Sequence, residues 1–306
     1  MKNLVVVLMG GLSGEREISF LTGKACSKAL KKKGYRVIEI DAKGYFANKL
    51  KRLKPKVVLN ALHGRYGEDG FIQSIREMEK IPYTHSGVLS SRLAMDKELS
   101  RILFKKKKLK VPKYFLLETK NKENFNSKIK LKRIKFPIVI KPVNEGSSLG
   151  VYICKNKNQF NKNFKKLKIH YDKIMVEEYI PGKEIQAAVM GNKALGAIEL
   201  IPRREFYDYT AKYSSKAKTK HIMPPPVTKK KYKEVLFLAK KAHKILGCKG
   251  ITRSDFRFHK NKFYLLETNT QPGMTKLSLV PEIAKHCGIS FEDLVLWMIK
   301  DASNNR

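Results

Sequence analysis

Two runs of alternating apolar and polar residues, Ile251 to Phe258 and Phe263 to Thr268, flank the polar tip His259-Lys260-Asn261-Lys262 and constrain the chain more than any other stretch. Period-two alternation puts successive side chains on opposite faces of a strand, so this pattern predicts a β-hairpin. Asp255 lies on its first arm and Glu267 on its second, with Arg253 and Asn269 two residues away on the same faces. Two carboxylates and an amide oxygen suit a hard cation that also takes substrate phosphates. If Asp255 stands opposite Glu267, Arg253 stands opposite Asn269. That register needs an odd-length tip or a bulge, because an even tip alone pairs Asp255 with Leu266. The odd tip is the expectation; a solvated amphipathic hairpin with acids on its wet face is the alternative.

Upstream, the apolar run Leu4 to Met9 ends in Gly10-Gly11-Leu12-Ser13-Gly14, and Ile18 to Lys32 has helical spacing before Gly34 and a strand at Arg36 to Ile40. This is a βαβ unit with a Gly-rich first turn, where backbone N–H groups can receive an anion, though it lacks GxGxxG spacing. Charged residues rather than a small-residue cleavage site follow Leu4 to Met9, so a buried strand is expected instead of a signal peptide, in a cytoplasmic protein. Glu15 falls where the helix begins, a position acids favour in any helix. Val57 to Leu62 reads as a second buried strand, and His63 opens a Gly-rich loop at its end. Ile81 to Tyr83 is expected to begin a strand, and Ser90 to Lys106 one continuous helix carrying Lys97.

Farther on, the strand Phe136 to Lys141 precedes Asn144 to Gly150, a Gly/Ser-rich turn that could cover phosphates or be an ordinary hairpin turn. Ile174 to Ile180 is a strand whose adjacent Glu177 and Glu178 face opposite ways, followed by a Pro181-Gly182 break and Glu184. Strands at Ile185 to Met190 and Ala194 to Ile201 lead to a long polar connection, Glu205 to Pro226, of the length expected for a lid or binding loop. Helices are expected at Lys229 to Leu246 and Phe291 to Ile299, with Asp301 to Arg306 frayed.

The formal net charge of +38 raises the rival reading of a nucleic-acid binder. Its lysines are scattered over predicted helices and loops without interleaved aromatics, so solvated faces account for it better, and neither a specific nucleic-acid nor a membrane partner is expected. No apolar run reaches membrane-spanning length and no GxSxG elbow suggests a serine hydrolase. Cys26, Cys154, Cys248 and Cys287 show no ligand spacing and are expected as buried free thiols.

The strings RSDFR, LLETNTQPGMT and SLVPE closely resemble the C-terminal signature of the D-alanine:D-alanine ligases of the ATP-grasp superfamily. GGLSGEREIS, ALHGRYGEDG, AMDK, IKPVNEGSSLG and AKYSS extend the resemblance through the chain in the family's order. It implies an α/β fold of the α+β ATP-grasp kind: a Rossmann-like unit at 1–99, a central lobe at 100–182 and a C-terminal lobe at 183–306. It also implies ATP-dependent joining of two D-alanines through an acyl phosphate, with Mg²⁺ or Mn²⁺ as two ions on Asp255, Glu267 and Asn269, for peptidoglycan precursors, in a homodimer.

By the same resemblance Lys97, Lys141 and Lys212 meet ATP phosphates, Glu177, Glu178 and Ile180 the adenine, and Glu184 the ribose. Glu15 takes the first ammonium in a network with Ser147 and Tyr213, and His63 lies on the substrate side. Arg253 and the Gly273 N–H stabilise the oxyanion, while Ser278 and Leu279 hold the second carboxylate; an N-cap and a core leucine would look the same. Thr252, Ser254, Gln271, Lys276 and Leu277 depart from the commonest family text without replacing a residue that has a role. A ligase taking D-lactate second is the nearest alternative, and Tyr213 resembles the D-alanine enzymes.

Overall fold

The structure is a computed structural model that describes residues 4–44, 46–120, 125–146, 148–202, 219–275 and 277–306. Ser147 and residues 203–218, which include Lys212, Tyr213 and residues 205–218 of the expected lid, lie outside the described residues. Among the described residues no helix is long and apolar enough to cross a membrane.

Three sheets organise the chain. The first is parallel, in the order β2-β1-β3, from β1 (Leu4–Met9), β2 (Arg36–Asp41) and β3 (Val57–Asn60). Every residue of β1 is buried, as a central parallel strand requires. Around this sheet run α1 (Arg16–Lys32), α2 (Phe46–Leu53) and α3 (Phe71–Met78). Tyr83 reaches Val58 by an isolated parallel bridge rather than the expected strand.

The expected helix over 90–106 is two helices, α4 (Val88–Met95) and α5 (Lys97–Lys106). Between them Asp96 is extended, and its carboxylate accepts from the N–H groups of Glu98 (2.9 Å) and Leu99 (3.0 Å), capping α5. The side chain competes with helix propagation and wins at this position. Lys97 therefore begins a helix instead of lying within one.

The second sheet is antiparallel, ordered β4-β7-β5-β6, from β4 (Tyr114–Glu118), β5 (Ile138–Pro142), β6 (Tyr152–Cys154) and β7 (Lys173–Glu178). Helices α6 (Phe125–Leu131) and α7 (Lys157–Leu167) contribute Phe125 and Phe160, stacked at 3.9 Å, to its core. The third sheet, β10-β9-β8-β11-β12, comprises β8 (Lys183–Met190), β9 (Lys193–Ile201), β10 (Lys220–Ile222), β11 (Ile251–His259) and β12 (Lys262–Asn269). Helix α8 (Lys229–Ile245) covers it.

The β11–β12 register has Asp255 opposite Glu267 and Arg253 opposite Asn269. An odd tip is not what produces it. The tip is two residues, Lys260 and Asn261, with φ of 43° and 62°, the positive pair that a type I′ turn needs. Phe256 then pairs with Leu265, leaving Leu266 as the extra residue of a bulge that restores the acidic pair.

Helices α9 (Leu279–His286) and α10 (Phe291–Asp301) return to the first sheet. One apolar core joins Val5 and Val7 of β1 to Leu279 and Leu294 of these helices and to Ile198 and Ile251 of the third sheet. The last residues are docked rather than frayed. Arg306 forms an ion pair with Asp301, and the Asn305 N–H donates to Glu77 at 3.0 Å. Cys26, Cys154 and Cys248 are buried free thiols, but Cys287 is exposed, being the residue that caps the C-terminal end of α9.

Asp96→Ala should destabilise the protein by about 0.5–2 kcal/mol in urea unfolding, whereas Asp96→Ser should stay close to wild type, since serine can cap the same N–H groups.

Candidate active site

Two adjoining cavities lie where the three sheets meet. The first, with about 880 Å³ of open space, is bounded by the second and third sheets. Val139, Leu149, Val151, Ile153 and Ile180 give one end an apolar lining; Lys97, Lys141, Asp255 and Glu267 make the other end charged. The second, with about 620 Å³, is polar and takes walls from Glu15, His63, Glu68, Arg253, Asn269 and Gly273. Both cavities include Lys97, Glu145 and Glu267, so the charged end of the first opens onto the second.

Buried charges occupy the junction. Lys141 Nζ lies 2.7 Å from Glu177 Oε1, and Arg101 Nη2 lies 2.6 Å from Glu177 Oε2, close enough for an ion pair but not aligned as a hydrogen bond. Burial, the largest influence on Glu177, pushes its carboxyl up, yet Arg101 and Lys141 outweigh it and the group ends below the ordinary carboxylate range. Burial pulls the Lys141 ammonium below the usual lysine range, against Glu177. As the strand pattern requires, Glu178 faces away from this pair, and its Oε1 accepts from the Lys113 N–H at 2.9 Å. Lys97 Nζ donates to the Glu145 carbonyl and lies 3.5 Å from Glu267 Oε2.

At the apolar end, Arg257 holds the Pro181-Gly182 break. Its guanidinium donates to the carbonyls of Ile180 (2.9 Å) and Gly182 (2.8 Å) and lies 3.3 Å from Glu184, which stands directly opposite it across β8 and β11. The period that groups Arg253 with Asp255 also reaches Arg257, so the sequence carried the signal.

On the hairpin, Arg253 grips Asp255 through Nε (2.8 Å) and Nη2 (3.0 Å). Asn269 Oδ1 accepts from the Gln271 N–H at 2.7 Å. Among the described residues no three His, Cys, Asp or Glu side chains form a metal cluster. Asp255, Glu267 and Asn269, paired across two strands, offer hard oxygen donors that fit a divalent cation sharing phosphate oxygens.

In the second cavity Glu15 caps the N-terminus of α1 in position only, with no side-chain cap hydrogen bond, and its carboxylate approaches the backbone at Gly64 and Gly146. The N–H groups of Gly10 and Gly11 are taken by Ser19 Oγ (2.8 Å) and Asp41 (3.1 Å), so these two donors of the turn are satisfied internally. His63 is held at both ring nitrogens, by Thr22 Oγ1 (2.9 Å) and Glu68 Oε1 (3.1 Å). Burial raises the Glu68 carboxyl, with His63 opposing and Glu15 reinforcing.

A Cβ on Gly273 would come within 2.8 Å of Ser278 Oγ, which explains a glycine there. That hydroxyl accepts from the Thr275 N–H at 2.9 Å instead of capping α9. Leu279 is a core residue outside both cavity walls. Gln271, one of the departures from the family text, ties the cavity together: buried, it accepts from Asn60 Nδ2 at 2.8 Å and donates to the Leu62 carbonyl.

An apolar-to-charged cleft between two α+β lobes defines an ATP-grasp protein. Residues 103–300 match the family described as D-ala D-ala ligase C-terminus. The chain is 56% identical to the D-alanine--D-alanine ligase of Pelagibacter ubique over the whole of both chains. It is 44% identical to that of Parvibaculum lavamentivorans over 99% of this chain and 98% of the relative. The D-alanine--D-alanine ligase structure from Bacillus anthracis superposes with a TM-score of 0.88 at 32% identity, over 98% of this chain and 97% of that one. A second structure, the Bacillus anthracis ligase complexed with ATP, superposes with a TM-score of 0.85 at 28% identity over the same shares. The chain belongs to the D-alanine–D-alanine ligase family.

A carboxyl depressed on folding favours the fold above its unfolded pKa, about 4.3, and that contribution is lost as pH falls through the folded value. Glu177→Gln should cost about 3–5 kcal/mol at neutral pH by stranding two buried cations. The difference from wild type in urea unfolding should narrow below about pH 4 as the native carboxyl protonates. A difference that stayed constant to about pH 3 would mean that the Glu177 charge contributes nothing to folding.

Proposed function

We propose that the protein joins two D-alanines into D-alanyl-D-alanine with ATP as co-substrate, supplying peptidoglycan precursors in the cytoplasm, and that it works as a homodimer. The observation that carries this reading is the shared wall of the two cavities: a nucleotide in the first would present its terminal phosphate to a small zwitterion in the second. The three units at 1–99, 100–182 and 183–306 then meet at one reaction centre.

The apolar end of the cleft takes adenine against Ile180 and the strand residues Glu177 and Glu178, and Glu184 takes the ribose. Lys97, Lys141 and, from outside the described residues, Lys212 offset phosphate charge. Asp255, Glu267 and Asn269 would hold Mg²⁺ or Mn²⁺, as two ions, which when bound neutralise phosphate oxygens. A carboxylate is a weak electrophile, and phosphoryl transfer depends on positioning and charge neutralisation more than on a protein nucleophile. The first D-alanine's carboxylate oxygen bonds to the γ-phosphorus as the bond to the β–γ bridging oxygen breaks, giving ADP and an acyl phosphate.

The second D-alanine, having lost a proton from its ammonium, attacks the acyl carbon, and inorganic phosphate leaves with the C–O bonding pair. Glu15 holds the first ammonium, with Ser147 and Tyr213 in its network, and His63 lies beside the first substrate, steered by Glu68. Arg253, oriented by Asp255, and the Gly273 N–H receive the tetrahedral oxyanion. The Ser278 hydroxyl and Leu279 N–H hold the second carboxylate, a role that agrees with a Ser278 side chain turned away from capping.

With ATP, Mg²⁺ and D-alanine, ADP, phosphate and D-alanyl-D-alanine should form in equal amounts, measured by phosphate release and mass analysis, while L-alanine and D-lactate beside them should be poor substrates. Equal turnover of L-alanine, or a depsipeptide as the main product with D-lactate, would overturn this reading. Arg253→Ala should lower kcat about 100- to 1,000-fold while ATP still binds.

A further inference from the structure

Arg101 is a buried residue of the cleft region to which the reaction proposed above gives no role. It lies one helical turn after Lys97 on α5, and residues four apart share a helix face. That face meets both lobes. Arg101 Nη2 stands 2.6 Å from Glu177 Oε2 in the second sheet and donates to the Leu266 carbonyl in the third at 3.1 Å; Nη1 donates to the Pro112 carbonyl at 3.5 Å. With 1% of its surface exposed, it cannot reach a ligand itself. It can, however, fix groups that do line the cleft. Glu177 is the anchor of Lys141, and Leu266 is the bulge residue just before Glu267.

We propose that Arg101 is a positioning residue for the nucleotide: acting through Glu177 it aims the Lys141 ammonium into the cleft, and through the Leu266 carbonyl it holds Glu267 at the same spacing. The chain of contacts is linear, from guanidinium to carboxylate to ammonium, so Lys141 has a fixed origin only while Glu177 is held at its other oxygen. Glu177 alone cannot supply this, because a carboxylate with one partner can rotate about its last side-chain bond, a broad torsion. Two cations on opposite oxygens remove that freedom. Lysine at position 101 could keep the charge on Glu177 but could not fork to the Leu266 carbonyl as well, since an ammonium lacks the guanidinium's planar geometry.

The inference rests on the reading of the first cavity as the nucleotide site, and steady-state kinetics of the full chain distinguish the two. Arg101→Met should raise KM for ATP about 10- to 100-fold, with KM for D-alanine within about twofold of wild type. Arg101→Lys should recover part of that loss. Comparable increases in KM for both substrates, or an ATP KM within about twofold of wild type, would overturn the positioning role while leaving the ligase reading intact.

Removing Arg101 alone leaves the buried Glu177 with one cation in place of two, so the apolar pair Arg101→Met/Glu177→Met provides a variant without that half-compensated carboxylate. If Arg101 acts through Glu177, the double variant should match Glu177→Met alone in KM for ATP, within about twofold. A double variant with wild-type KM for ATP, or one in which the two effects multiply, would overturn the proposal. Wild-type protein that formed no product from ATP and D-alanine would instead refute the reading on which it rests.

Discussion

One unpaired residue in the β11–β12 ladder, Leu266, decides where the acids of the cleft point. The two-residue tip by itself would put Asp255 across from Leu266, with Glu267 on the opposite face. The bulge shifts the strand by one position after the tip, so Asp255 faces Glu267 and Arg253 faces Asn269. A bulge also frees a carbonyl from the ladder, and here the Leu266 carbonyl accepts from Arg101. The same irregularity thus sets the acidic pair and supplies the attachment by which α5 crosses from one lobe to the other.

Much of this could be read from the residues alone. Alternation gave the arms of the hairpin, and the same-face relation of Arg253 with Asp255, and of Glu267 with Asn269, follows from period two. The bulge itself was harder, because the tip His259-Lys260-Asn261-Lys262 has no glycine to announce a type I′ turn, and Lys260 takes positive φ without that advantage. The break at Asp96 was masked by apolar spacing that continues through it; only the N–H groups that its carboxylate receives reveal the cap. The C-terminus looked frayed because its residues are polar, but their partners, Glu77 and Asp301, are fixed by tertiary packing. The tying roles of Arg101, Glu68 and Gln271, the last visible in the sequence only as a departure from the family text, are not legible there for the same reason: their partners lie far away in sequence or, for Glu68, across a loop whose fold the sequence does not specify.

Charge in this chain is therefore two separate matters. The surplus of basic residues is a property of composition, whereas the cleft is built from matched pairs. The buried Lys97, Lys141 and Arg101 and the partly buried Arg253 each stand within 4 Å of a carboxylate. Stripping water from an ion is costly, and attraction offsets that cost only when the partner is close and held. Arg76 provides the contrast: it is fully buried with no hydrogen-bond partner for its guanidinium among the described residues, and burial lowers its pKa to about 10. The cleft cations have the partners that Arg76 lacks, because carboxylates on the cleft strands reach them. On the proposed reading, a phosphate entering beside Lys97 and Lys141 would meet ammonium groups already desolvated and oriented, so little reorganisation would remain when charge develops.

The two cavities are held in different ways. The second has walls from opposite ends of the chain, Glu15 and His63 at one end and Arg253 to Gly273 at the other, yet a single apolar core runs beneath them from β1 through α9 and α10 to the third sheet. Gln271 fastens this arrangement by linking Asn60 and Leu62 at the end of β3 to the strand that carries Asn269. Among the described residues the first cavity has no such shared core. The second sheet keeps its own apolar cluster, and polar contacts tie it to the third across the cleft: Arg101 at the charged end and Arg257 at the Pro181-Gly182 break. Directional contacts of this kind fix spacing without filling the gap, which suits the cleft to the nucleotide proposed to enter between the two sheets. Non-directional packing beneath the second cavity instead secures the small, polar chamber in which, on the proposed reading, the two amino acids meet in one orientation.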